Sequence, residues 1–181
     1  DDSLKHIHWK ASARIGRLQT RIYDASTTPN YVLFLDVRTT PPAMYSTRVH
    51  LLELGVLTVT ALANDALEHG YSTGVYVNQT ARFSSRLLQV PPSQHPEQLM
   101  RILETMDQVH PSESIPMPRL IGEQSRNLPW GTTLLLVAAV PDAATVEILT
   151  RLRSTGRAVA LVQVGGTQDD LRLHGLPAAM V

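Results

Sequence analysis

The sequence predicts an α/β domain built on a mostly parallel sheet with helices on both faces. Short β-prone runs at residues 31–37, 132–140 and 158–164 are apolar almost throughout, as strands covered on both faces are. Between them, residues 45–69, 96–108 and 143–154 place their apolar side chains at helical spacing. The chain has 181 residues, a usual size for one core, and no repeat or low-complexity tract interrupts the alternation. Strands separated by helices close through right-handed crossovers into a doubly wound, Rossmann-like sheet.

Taken in order, Ser3 can cap a short helix through Ala13, with Leu4, Ile7, Trp9 and Ala11 apolar and Gly16 ending it. Residues 17–23 alternate, with Leu18, Thr20 and Ile22 on one face, which suits an edge strand with one wet side. The run 31–37 ends around Asp36 and meets Thr39, Thr40, Pro41 and Pro42, whose prolines stop it. The segment 45–69 is apolar nearly all round, so that helix is expected to be covered on more than one side, with Gly70 capping its end.

Residues 74–78 and 86–90 read as two strands paired across a turn. Asn78-Gln79-Thr80 matches a glycosylation sequon by pattern and reads more simply as part of that turn. Past Pro91-Pro92, Leu99, Ile102, Leu103 and Met106 mark a helix within 96–108. The proline-rich tract 110–131 is a surface excursion holding a short helix at 118–126. After the strand at 132–140, Asp142 is a natural N-cap for the helix at 143–154, which Gly156 closes. The strand at 158–164, Gly165-Gly166 and a helical turn near 168–173 finish the chain.

Composition removes several function classes. Lys+Arg and Asp+Glu both total 16, so no net field draws nucleic acid or an acidic surface. With Cys 0, disulfides, thiolate nucleophiles and cysteine-based zinc sites are excluded. No signal peptide opens the chain, and its most apolar helix-like run, 51–63, is broken by Glu53 and too short to span a bilayer. The start at Asp1-Asp2 reads as the beginning of a C-terminal piece of a longer protein.

Isolated side chains add little. His6 and His8 would share a face only on a strand, and with no third ligand in view zinc is not expected. Trp9, Lys10 and Arg14 could make a basic-aromatic surface for nucleic acid, but a lone Trp on a short helix is more often a core plug. The nucleophile elbow, the phosphate loop, the dinucleotide glycine fingerprint and the zinc-protease helix are all missing.

The opening block His6-Ile-His-Trp-Lys-Ala-Ser-Ala-Arg14, followed by Tyr31-Val-Leu-Phe-Leu-Asp36, resembles the signature of the bacterial domain-of-unknown-function 58 family. The specific positions are Ile7, Trp9, Lys10, Ala13, Arg14 and Asp36, and the likeness runs from Leu4 to about Val164. It implies a von Willebrand factor A-like domain at 25–181, with residues 1–24 as a signature helix and edge strand of the same domain. Relatives carry membrane helices upstream, which would hold this domain beside the cytoplasmic face of the cell membrane without insertion. They are commonly encoded beside MoxR-type AAA+ ATPases and transglutaminase-like proteins, so the resemblance implies a MoxR-type ATPase as partner.

In von Willebrand A-like domains the loop after the first strand carries D-x-S-x-S, which holds Mg²⁺. Here it reads Asp36-Val37-Arg38-Thr39-Thr40. Thr40 can replace the second hydroxyl, but Arg38 brings a fixed cation with donors and no lone pair to a position where magnesium wants oxygen. The loop is therefore read as a degenerate metal site, with Asp36 and Thr40 as its only remaining ligand candidates and no cofactor expected. Arg38 either pairs with Asp36 or swings outward. These expectations converge on a non-enzymatic binding or scaffold module that docks a protein through Asp36, Arg38, Thr39, Thr40 and Asp142. The competing reading is a metal-dependent or hydrolase-like enzyme using Asp36 at the same edge of the sheet.

Overall fold

A computed structural model describes residues 29–41, 47–165 and 177–180. The signature residues Ile7, Trp9, Lys10, Ala13 and Arg14, the helix and edge strand expected before residue 24, and the turn expected near 168–173 lie outside the described residues. The elements are β1 (Asn30–Leu35), α1 (Val49–Glu68), β2 (Ser72–Thr80), β3 (Leu87–Ser93), α2 (Gln98–Met106), α3 (Met117–Ser125), β4 (Thr133–Ala138), α4 (Ala143–Ser154), β5 (Val159–Gln163) and β6 (Ala178–Met180).

They form one six-stranded sheet in the order β3-β2-β1-β4-β5-β6, parallel throughout except for β3. This is the α/β class with a mostly parallel sheet and helices on both faces expected from the sequence. Alternation along β1 divides the interior in two. Leu33, Leu35 and Val37 pack with Leu51, Val59, Ile102 and Met106 under α1 and α2. Val32 and Phe34 pack with Leu120, Ile121, Ile148 and Leu149 under α3 and α4. A strand that serves both layers needs apolar residues on both faces, which is why 31–35 shows no alternation in sequence.

Three expectations need correction. Asn78-Gln79-Thr80 is no turn: β2 runs through it, and Asn78 and Gln79 are fully buried. The hairpin turn comes later, at residues 81–86, where the Ala81 amide donates to the Arg86 carbonyl at 2.8 Å. β3 does not stop at Pro91 but continues to Ser93, because an edge strand leaves its outward N–H positions unpaired and so tolerates proline. β6 was not foreseen, since three residues of Ala-Ala-Met give no periodic signal. α1 packs against the sheet and against α2, and leaves Leu57 65% and Val49 53% exposed on its open side.

The α1 C-terminus follows the expected Gly70 cap. Gly70 has φ +75°, its amide reaches the Leu67 carbonyl at 2.9 Å, and the Tyr71 amide reaches Ala66 at 2.9 Å. These two bonds satisfy carbonyls that the last helical turn would otherwise leave open.

Candidate functional site at the carboxyl edge of the sheet

Strand order reverses between β1 and β4, and at such a point the loops leaving the two strands part to opposite faces and open a crevice. Asp36 follows β1 and Asp142 follows β4, so the topology brings both to the rim of this crevice. The Asp36 amide stays on the sheet, donating to the Val137 carbonyl at 2.9 Å. Its carboxylate is thereby aimed into the edge and almost completely buried, at 2% exposure.

Asn78 in β2 organises that carboxylate. Its Nδ2 donates to Asp36 Oδ1 at 2.8 Å, and its Oδ1 accepts the Val37 amide at 2.9 Å. Asp36 Oδ1 also accepts the Arg38 amide at 3.0 Å. Oδ2 receives no hydrogen bond, and the nearest positive charge is Arg38 Nη2 at 3.5 Å. Burial therefore dominates, and the Asp36 carboxyl is pushed up to about 6, although the Arg38 amide, the Arg38 charge and Asn78 pull the other way.

Arg38 spans the crevice. The same Nη2 donates to Asp142 Oδ2 at 3.0 Å, while Asp142 Oδ1 accepts the Thr145 amide at 2.7 Å. Asp142 is thus both the expected N-cap of α4 and the second anion of an Arg38 bridge. Partial burial would raise its carboxyl, but the Thr145 bonds and Arg38 outweigh this and hold it below the usual range. Burial likewise works against the Arg38 charge, and its two carboxylate partners prevail and raise its pKa.

The five residues predicted to form the site divide by exposure. Arg38 and Asp142 reach solvent, with side chains 16% and 33% exposed. Asp36, Thr39 and Thr40 are buried beneath them and cannot themselves face a partner. Thr39 has a structural duty, its Oγ1 accepting the Arg48 amide at 2.9 Å where α1 begins.

Sequence reasoning missed three members. Asn78 is the hub just described, and its Nδ2 also lies 3.4 Å from Oε1 of exposed Glu113. Gln79 clamps the following loop, donating to the carbonyls of His110 and Ser112 at 2.6 and 2.7 Å and accepting the His110 amide at 3.1 Å. A polar Asn-Gln pair ending an apolar strand was a readable signal, because buried amides need partners.

The donor set does not suit a hard divalent cation as it stands. Asp36 Oδ1 already accepts two hydrogen bonds, and the approach to Oδ2 carries the Arg38 guanidinium. Among the described residues no group of three or more His, Asp or Glu is placed to hold a metal ion. Nor is any described helix long and apolar enough to cross a membrane.

No family model matches the chain, and no curated protein matches it. Among solved structures it is similar to the pilus adhesin SpaC from Lactobacillus rhamnosus GG in its open conformation, with TM-score 0.55, 11% identity, and coverage of 86% of this chain and 28% of the adhesin. A second structure of that adhesin gives TM-score 0.55 at 10% identity, covering 86% and 29%. An aerotolerance-related membrane protein from Bacteroides fragilis gives TM-score 0.47 at 12% identity, covering 75% and 67%. The likeness to the adhesin is one of fold, and this chain spans less than a third of that protein's length.

Proposed function

We propose that this chain is a non-enzymatic docking module in which Arg38 supplies the positive charge that a metal ion supplies in related sheets. One observation carries the reading: Arg38 Nη2 stands 3.0 Å from Asp142 and 3.5 Å from Asp36, joining the loops on either side of the strand-order reversal. A covalently held cation cannot leave with chelators, so the loops stay pre-organised and lose little entropy when a partner arrives. Arg38, Asp142 and exposed Glu113 make the contact, and Asp36, Thr39 and Thr40 hold the loop from below. The resemblance to the domain-of-unknown-function 58 family nominates a MoxR-type AAA+ ATPase as partner and a position beside the cytoplasmic face of the membrane.

Two measurements test this. Thermal melts of the parent should be unchanged by millimolar Mg²⁺, whereas Arg38→Ser, which restores an oxygen, should be stabilised by it through mass action. Arg38→Glu, once circular dichroism shows it folded, should weaken binding to the ATPase roughly ten-fold or more. A parent that is stabilised by Mg²⁺, or a folded Arg38→Glu variant that binds as the parent does, would remove the proposal.

An enzyme reading has one observation in its favour. Asp36 pairs an unbonded, buried Oδ2 with a pKa raised to about 6, as a general base requires. Turnover of ester or phosphoester substrates that disappears in Asp36→Asn, with the fold retained, would select it over docking.

A further inference from the structure

Away from the carboxyl-edge site, α1 and α2 leave an open groove of about 730 Å³ between them. Gln98 at the start of α2 donates to the Thr73 carbonyl near the start of β2, and Gln79 near the end of β2 holds His110 just past α2. α2 therefore runs with β2, while α1 runs back against it to join two parallel strands, so the groove is a furrow between antiparallel helices. Its walls are mostly apolar, and Val49, Leu57 and Leu103 stand 53%, 65% and 40% exposed there. Scattered exposed apolar residues need no explanation, but a continuous apolar trough does. Further along the same two helices, Leu67 and Leu99 line a second hollow of about 260 Å³.

Charge sets the chemistry of what can fill this furrow. Glu53 and Asp107 line the groove and Glu68 lines the hollow beyond it, and neither space is lined by Lys or Arg. Among the described residues, neither Glu53 nor Asp107 is held in an ion pair. We propose that the furrow receives an amphipathic α-helix of another protein, with an apolar stripe on one face and Lys or Arg along its flanks.

Geometry selects a helix over an extended segment. The α1 wall presents Val49, Glu53, Val56 and Thr60 at intervals of three and four residues, over about 17 Å at helical rise. A ridge so spaced interdigitates with side chains of the same spacing on a helix whose axis lies about 8–10 Å away. The groove's lining residues all belong to α1, α2 and the loop after α2, so an extended segment would find no strand edge to pair with, whereas a helix satisfies its own backbone groups. A second copy fits poorly, because a two-fold pairing across this face would set unneutralised carboxylates against one another. The inference does not depend on what docks at Arg38.

Fluorescein-labelled peptides of about 14 residues serve as probes, read by fluorescence anisotropy. One carries Leu on one helical face and Lys on the other, a twin has Glu in place of Lys, and a third has the composition of the first with its Leu positions shuffled so that no stripe remains. The parent should bind the striped Lys peptide roughly ten-fold or more tighter than either of the others. Leu57→Gln with Leu103→Gln, both at exposed positions, should erase that advantage, and Glu53→Lys with Asp107→Lys should turn the preference towards the Glu twin. The control, Glu123→Lys with Glu147→Lys on exposed positions of α3 and α4, makes the same change in net charge on the other face of the sheet and should leave the preference as it was. Circular dichroism must show each variant folded. Equal binding of all the peptides by the parent, or a preference that the groove variants leave unmoved or the control pair shifts as far, overturns the proposal. A parent that light scattering shows as a dimer, and that becomes monomeric in Leu57→Gln with Leu103→Gln, overturns it in favour of a second copy.

Discussion

At the scale of single residues, the buried carboxylate of Asp36 is the most consequential feature of the molecule. Its folded-state pKa of about 6 lies above the ordinary value of 3.8, so between those values the native state binds more protons than the unfolded chain. Stability from this group is therefore complete below about pH 4 and lost as pH rises through about 6, a change of roughly 3 kcal/mol. Urea unfolding of the parent and of Asp36→Asn across pH 4–7.5 should show the parent losing that much relative to the variant, then running level above pH 7. A constant difference would mean that Arg38 neutralises Asp36 fully. Asn78 should matter as much. In Asn78→Leu the Val37 amide loses its acceptor and Asp36 Oδ1 loses a donor, a cost of about 2–4 kcal/mol. Asn78→Asp should be worse near pH 7 and partly relieved at pH 5, where the crowded carboxyls share a proton.

At the scale of elements, the antiparallel edge pair depends on a close approach that only glycine permits. A Cβ on Gly74 would lie 2.6 Å from the Pro92 nitrogen and 2.8 Å from the Val90 carbonyl, both backbone atoms that cannot swing aside. The pairing already shifts register between Thr73 and Val75, where β3 passes its two prolines. Gly74→Ala should therefore cost about 1–3 kcal/mol through forced separation of the strands. Hydrogen exchange should place the loss in the β2 and β3 amides while β4 and β5 keep their protection; equal loss everywhere would show that the edge is not a separable unit. Most helices were legible because their stripes of apolar residues match 3.6 residues per turn, as with Ile102 and Met106 in α2 and Ile148 and Leu152 in α4. The open side of α1 was not. Its sequence carries apolar residues around the whole circumference, and which of them meet a neighbour depends on where α2 lies.

At the scale of the whole molecule, both sheet edges need protection from pairing with other chains. At one edge Pro91 and Pro92 remove amide donors from β3. At the other, β6 covers β5, pairing Leu161, Val162 and Gln163 with Ala178, Ala179 and Met180. Ending the chain at Gly165 would expose β5, whose Leu161 and Val162 are buried in the intact sheet. That truncation should run as concentration-dependent oligomers in light scattering, and the full chain should not. A truncated protein that stays monomeric and melts with the parent would mean that β6 is dispensable.

The sequence by itself determined the α/β class, the alternation of strands and helices, the Gly70 and Asp142 caps, and Arg38 as an unusual residue beside Asp36. All of these follow from local periodicity, turn chemistry and charge, which a few consecutive residues express. Only the tertiary structure decided that Arg38 joins Asp36 to Asp142, 104 residues further along the chain for the latter. The same holds for Asn78 as the hub 42 residues from Asp36, and for Thr39 and Thr40 as buried supports rather than contact surface. Those assignments depend on which strands lie side by side at the reversal of strand order. That adjacency is set by the packing of two apolar layers on one sheet, and no short window of sequence encodes it.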